Sequence, residues 1–235
     1  LTELLYMNDS YMREFNATVT RVDGEKVFLD RTCFYPLGGG LVSDTGVLIR
    51  GEDKYPVTFV GKEGGDVYHL TEKHTLKPND EVVGIIDWKR RYRLMRMHTA
   101  CHIISAILYK DEGSLITGNK VDIDKSRVDF NLERMDKALM ELVIDKTNQV
   151  IKRNLPVKIY YLPREDALNI PGIVKLAAKL PPHIKTLRIV EIEGIDIQAD
   201  GGPHVHNTRE IGDVILLKTE NKGKNNRRLY FTIKP

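Results

Sequence analysis

Apolar and polar residues alternate in short, period-two runs through the first third of the chain and in longer, period-3.6 runs afterwards. Phe15 to Val22 and Lys26 to Asp30 alternate on either side of Asp23-Gly24, a pattern that predicts a β-hairpin with a tight turn. Further strand-like runs are Gly46 to Arg50, Val57 to Val60, Asp66 to Leu70 and Glu81 to Asp87. Several short strands at this spacing predict a small barrel. The period changes at Asp87-Trp88-Lys89, and Arg90 to Lys110 reads as one amphipathic helix with Leu94, Met97, Cys101, Ile104 and Leu108 along its apolar stripe. Gly113 to Lys120 and Ser126 to Asn131 follow as a strand pair. Asp136 to Arg153 is a second helix, with Leu139, Leu142, Val143, Val150 and Ile151 on the expected buried side. Val157 to Leu162 is a strand, Pro163 to Leu168 a short helix entered at proline, and Leu187 to Glu193, Ile195 to Gln198, Asp213 to Thr219 and Arg227 to Lys234 are strands. The fold class is therefore α+β: a small N-terminal β-barrel over residues 1–88, then a two-layer α/β domain with antiparallel sheet over residues 89–235.

Composition adds limits. At 235 residues with 41% hydrophobic and 29% charged residues, the chain buries a core and is not of the disordered class. No apolar run reaches bilayer length and Leu1 to Tyr6 lacks a basic n-region, so the expected location is cytoplasmic, with no membrane partner. Two cysteines, Cys33 and Cys101, make no disulfide framework. Cys101 points about 100° away from His102 on a helix, which assigns it to core packing. The net charge of +3 is too small to require a nucleic acid. Its distribution says more: Lys89, Arg90, Arg91, Arg93 and Arg96 crowd the start of the first helix, and Lys222, Lys224, Arg227 and Arg228 form a second basic segment. The first group opposes the helix dipole, so something negative is expected near it, an RNA phosphate being one candidate.

Chemistry concentrates in two places. His98 and His102 stand four apart within the first helix, so both imidazoles can face one ion. Asp200 and His204 also stand four apart, across the turn Gly201-Gly202-Pro203, which can bring the backbone sharply round and aim both side chains inward. Zinc accepts imidazole nitrogen and carboxylate oxygen at similar distances, so the four form a chemically reasonable set. A lone His pair at this spacing is more often a polar helix edge than a ligand pair, and the second pair is what shifts the balance. Gly38-Gly39-Gly40 lacks the spacing of a nucleotide-binding loop and by itself reads as a turn.

These residues also carry a resemblance. Met97-His98-Thr99-Ala100-Cys101-His102 resembles the HxxxH element of the alanyl-tRNA editing domains, and Gln198 to Gly212 (QADGGPHVHNTREIG) their Q-x-CGGTHV-x-NT-x-EIG element. Asp30 to Gly46 (DRTCFYPLGGGLVSDTG) resembles the DRTxFYPxGGGQxxDxG segment of the larger free-standing members. The chain thus resembles an alanyl-tRNA editing protein of the AlaX family over nearly its whole length. Asp200 stands where that family usually has cysteine, Pro203 where it has threonine, and Leu41 where it has glutamine.

The resemblance implies a trans-editing hydrolase that deacylates mischarged tRNA(Ala), chiefly Ser-tRNA(Ala) and also Gly-tRNA(Ala), with the acceptor end as partner. It implies one Zn2+ per chain on His98, His102, Asp200 and His204, with Asp200 either a direct ligand in place of the cysteine or behind the ligands holding a water, and these four would also be the catalytic residues. Substrate contacts are expected from Gly38, Gly39, Gly40, Ser114, Thr117 and Gln198; for Ser114 and Thr117, local hydrogen bonds in a turn and a strand are the plainer alternative. The rival function is a non-catalytic tRNA- or synthetase-binding module with a structural zinc. Threonyl-type editing is disfavoured by Phe34 to Gly40.

Overall fold

The computed structural model describes residues 1–133, 136–173 and 184–235. They form two compact units, Leu1–Arg93 and Leu94–Pro235.

In the first unit, β1 (Glu3–Leu4), β2 (Glu14–Asp23), β3 (Lys26–Leu29), β4 (Arg31–Thr32), β5 (Gly46–Arg50), β6 (Asp53–Val57), β7 (Phe59–Glu63), β8 (Asp66–Leu70) and β9 (Glu81–Ile86) are followed by the start of α1 (Trp88–Glu112). Seven strands make one antiparallel sheet in the order β6-β5-β9-β2-β3-β8-β7, while β1 and β4 pair separately in parallel. The barrel expected from the pattern takes the form of a curled half-barrel with β6 and β7 as its edges. Period-two burial along β2 and β9 explains the curl's interior: Phe15, Ala17 and Val19 alternate inward and meet Val82 and Ile86, joined by Leu29, Phe34, Leu48 and Val57.

The run Val57 to Val60, expected as one strand, is split. Thr58 separates β6 from β7, and Pro56, which cannot donate to a ladder, is tolerated because β6 is an edge.

Part of the basic start of α1 is answered from within the protein. Asp87 caps the helix, its Oδ1 accepting from the N–H of Arg90 at 3.1 Å. Arg91 is fully buried, its Nε donating to both oxygens of Asp44 at 3.1 and 3.0 Å and its Nη2 donating to Oδ2. The rest of that guanidinium is spent on the carbonyls of Ser10 and Cys33 at 2.9 and 2.6 Å. Thus one side chain pins α1, the loop after β4 and the segment before β2 together. Arg90 donates to the Ser43 carbonyl at 2.9 Å.

In the second unit, β10 (Ile116–Lys120), β11 (Ser126–Phe130), β15 (Val214–Asn221) and β16 (Arg227–Ile233) form an antiparallel sheet in the order β10-β11-β16-β15. A second antiparallel sheet runs β12 (Val157–Pro163), β13 (Thr186–Ile192) and β14 (Asp196–Ala199), with the short helix α3 (Arg164–Leu168) after β12. The helix α2 (Lys137–Lys152) has Asp136 as its N-cap, which accepts from the Leu139 N–H. It buries Met140, Val143, Ile144, Thr147, Val150 and Ile151, spaced three and four apart, so Leu142 falls off that face and is exposed, against the sequence expectation. Asn148 fixes α2 to β15 by exchanging hydrogen bonds with Val214 in both directions, at 2.9 and 2.8 Å.

From Met97 to Leu108 every residue of α1 is buried, so its apolar stripe is part of an all-round contact. Cys101 is among these residues, and burial pushes its thiol up to about 12, as it does that of Cys33. Both are packing groups rather than nucleophiles. The second basic segment is also partly structural: Asp129 accepts from Arg228 Nε and Nη2 at 2.6 and 2.8 Å. No helix among the described residues is long and apolar enough to cross a membrane.

The Arg91–Asp44 pair generates a stability prediction. Asp44→Ala leaves a guanidinium buried without its counter-charge and should cost about 3–5 kcal/mol in urea unfolding. A loss below about 1 kcal/mol would show that the pair does not hold this unit together.

Candidate metal centre

The second unit brings His98, His102, Asp200 and His204 into one cluster, their candidate ligand atoms all within 4.8 Å of one another. The helical spacing supplies the first pair, from the middle of α1. β14 supplies the second by delivering the chain to the turn 200–204. That turn is held from both sides. Arg188 on β13 donates from Nη1 to the carbonyls of Asp200 and Gly202 at 2.8 and 2.9 Å, and the Gly202 N–H donates to Asp200 Oδ1 at 2.7 Å. Position 202 admits no side chain, since a Cβ there would lie 2.6 Å from His98 Cε1 and 2.9 Å from its Nδ1.

The three imidazoles turn the same atom inward. His98 Nδ1 lies 3.2 Å from the Pro203 carbonyl, which can only accept. His102 Nδ1 lies 3.1 Å from Asp196 Oδ2. His204 Nδ1 lies 2.9 Å from Thr99 Oγ1, whose own proton goes to the Met95 carbonyl at 3.0 Å. Each Nδ1 is therefore a donor, and each Nε2 faces the Asp200 carboxylate: 3.6 Å for His98, 3.9 Å for His102 and 3.2 Å for His204. The rings themselves are close, with His98 and His204 stacked at 4.0 Å between centroids.

Electrostatics follow from that geometry. Burial pulls His98 down to about 4 against the opposing pull of Asp200. Burial, with the neighbouring histidines, holds His204 well below its usual range. Burial also disfavours charge on His102, but the carboxylates of Asp196 and Asp200 outweigh it and raise the group to about 9. Burial pushes Asp200 up, and the three histidines outweigh that, holding it well below the ordinary carboxylate range. At neutral pH, then, one proton on His102 sits among acceptors that a divalent cation satisfies better.

The donor chemistry fits such a cation. Tetrahedral zinc with ligand distances of about 2.0–2.1 Å sets its donors roughly 3.4 Å apart. The separations from Asp200, 3.2 to 3.9 Å, bracket that value. The histidines are buried, with side chains at most 6% exposed, whereas that of Asp200 is 23% exposed. Three neutral imidazoles and one carboxylate suit zinc and the harder divalent first-row ions.

Of the other sequence candidates, Gln198 is buried and donates from Nε2 to Asp196 Oδ2 at 2.9 Å, one step behind His102. Ser114 donates to Asn131 Oδ1 at 3.1 Å, and the exposed Thr117 donates to Asn226 Oδ1 at 3.0 Å. Neither belongs to the donor cluster. Gly38, Gly39 and Gly40 lie in the first unit, where Gly39 and Gly40 take positive φ and Gly38 bridges Leu41. His206 is exposed and outside the cluster, and Asn207 with Glu210 forms a capping box that fixes the chain after it. Thr99 and Asp196, which orient two of the candidate ligand rings, are not among the sequence candidates. Thr99 carried one signal, its place inside the HxxxH element.

Known proteins resemble this chain along its whole length. The alanyl-tRNA editing protein AlaX-M of Saccharolobus solfataricus is 52% identical over 238 residues, covering all of both chains. The chain belongs to the AlaX family of alanyl-tRNA editing proteins. The AlaX-M protein of Methanosarcina acetivorans is 47% identical, with 99% of each chain covered. The alanine–tRNA ligase of Pyrobaculum calidifontis is 36% identical, matching all of this chain but 27% of its own. Residues 187–230 match the threonyl and alanyl tRNA synthetase second additional domain, and residues 5–90 match tRNA synthetases class II (A). In this AlaX member the turn element and its histidine lie within the first of those matches.

The charge state of the cluster predicts proton release. His102, at about 9, must lose its Nε2 proton to ligate, whereas His98, His204 and Asp200 are already deprotonated at pH 7. Calorimetric titration of a divalent ion in buffers of different ionisation enthalpy should show about one proton released per ion at pH 7, falling towards none as pH rises through 9. Release of none at pH 7 would contradict this arrangement of protons.

Proposed function

We propose that this protein deacylates mischarged tRNA(Ala) in trans, chiefly Ser-tRNA(Ala) and also Gly-tRNA(Ala), at a zinc centre on His98, His102, Asp200 and His204. The observation that carries the reading is the buried convergence of those four donors, in a chain related over its full length to proteins named for alanyl-tRNA editing. When bound, zinc supplies Lewis acidity, which polarises an ester carbonyl and acidifies water.

The chain's own residues do the rest. Pro203, Thr99 and Asp196 fix the three rings with Nε2 inward, so no reorganisation is needed when a substrate arrives. Asp200 is the donor with exposed side-chain surface, so water and the ester reach the centre from its side.

Sparing alanine is a separate task. A site that pairs with the seryl hydroxyl is left with an unmatched polar group when alanine enters, which penalises the correct product. Ser114 and Thr117 are the candidates for that partner. Each spends its proton on an asparagine oxygen, so each retains lone pairs that can accept from a seryl hydroxyl. Gly38 to Gly40 are the candidates for close approach to the aminoacyl end, because glycine leaves the backbone bare.

One observation favours a second reading. Four protein donors make the closed set typical of structural zinc, which suits a binding module for tRNA or a synthetase.

The test is hydrolysis of Ser-, Gly- and Ala-tRNA(Ala) by metal-loaded and chelator-treated protein. The Ser and Gly esters should be lost and the Ala ester spared, with chelation or His98→Ala slowing the reaction on the order of 100-fold or more. Thr117→Val should lower the preference for Ser over Ala; an unchanged preference removes Thr117 from that role. A folded, metal-loaded protein that hydrolyses none of the three would favour the binding module.

A further inference from the structure

Each ligand histidine is held through Nδ1 by an acceptor of a different kind. His98 has a backbone carbonyl, His204 has a threonine hydroxyl, and His102 has a carboxylate, Asp196. Only the last carries charge. Asp196 is itself buried, on β14, where Gln198 sits two residues along on the same strand face. Gln198 donates from Nε2 to Asp196 Oδ2, the oxygen that also accepts from His102. The three side chains form a line from the strand into the centre: Gln198, Asp196, His102.

We propose that Asp196 is a positioning residue that sets the metal affinity of the centre through His102, with Gln198 as its brace. The inference rests on the metal-centre reading above. An anionic acceptor behind an imidazole fixes the ring's orientation and makes its other nitrogen a stronger electron-pair donor. A carbonyl or a hydroxyl fixes orientation with less of the second effect. His102 is therefore the ligand whose strength the surroundings raise most. The charge count agrees: a divalent ion is matched by Asp200 in front of it and Asp196 behind His102, giving a buried centre with no net charge from these groups. In this scheme one N–H of the Gln198 amide serves the carboxylate.

The test measures zinc affinity by competition with a chromophoric chelator for the full chain, Asp196→Asn and Gln198→Met, together with the His Nδ1–H resonances of the metal-loaded protein. Asp196→Asn keeps the shape and removes the charge; it should weaken zinc binding about 10–100-fold. Its His102 Nδ1–H resonance should move upfield while those of His98 and His204 stay in place, which a general loss of structure does not produce. Gln198→Met should weaken zinc several-fold in the same direction, and it carries the test if the Asn variant does not fold. Wild-type affinity in both variants overturns the role of Asp196 while leaving the metal centre intact. No zinc bound by the unaltered protein overturns the metal-centre reading and this proposal with it.

Discussion

Four electron-pair donors facing one another in a protein interior repel unless something positive lies among them. His98, His102, His204 and Asp200 are in that position, and the second unit is arranged to keep them there. Each ring is locked by a bond on its far nitrogen, and the turn bearing the carboxylate is tied down by Arg188 and by its own Gly202 N–H. Without an ion, His102 carries the compensating proton because Asp196 and Asp200 lie on either side of it. With an ion, the same carboxylates balance its charge.

The fold supplies the pieces from far apart in sequence. About a hundred residues separate α1 from the turn after β14, so the cluster cannot form locally. β13 reaches it through Arg188, and α1 reaches it through Thr99 as well as its two histidines. This dependence on long-range contacts explains why Gly202 and Thr99 are constrained as tightly as the ligands. A Cβ at 202 collides with His98, and removal of the Thr99 hydroxyl leaves the Nδ1 of His204 without that partner.

Much of this was legible in the chain before folding. Two pairs spaced four apart, taken with the donor chemistry of zinc, pointed to the four candidate donors, because i and i+4 on a helix share a face and a Gly-Gly-Pro turn can aim its flanking residues together. Strand alternation predicted a small barrel, which takes the form of a half-barrel, and the periodic run from Asp136 to Arg153 gave α2. What escaped depends on partners that sequence does not pair. The basic start of α1 predicts something negative beside it, and for Arg91 that partner is Asp44, a residue 47 positions away that the sequence does not single out. Leu142 was assigned to the buried face of α2 by its type, whereas the angular spacing of the residues that do pack leaves it outside. The bond from Gln198 to Asp196 likewise joins two side chains that nothing in the sequence pairs.

The geometry of the cluster calls for His98, His102, Asp200 and His204 to ligate one ion together. X-ray absorption at the zinc edge of the loaded protein tests it most directly, because the spectrum separates imidazole nitrogen and carboxylate oxygen from sulfur. Joint ligation gives one zinc per chain, nearest neighbours of nitrogen and oxygen at about 2.0–2.1 Å, and the more distant scattering of three imidazoles. A sulfur scatterer near 2.3 Å, which would mean recruitment of a cysteine, or fewer than three imidazoles, would contradict it.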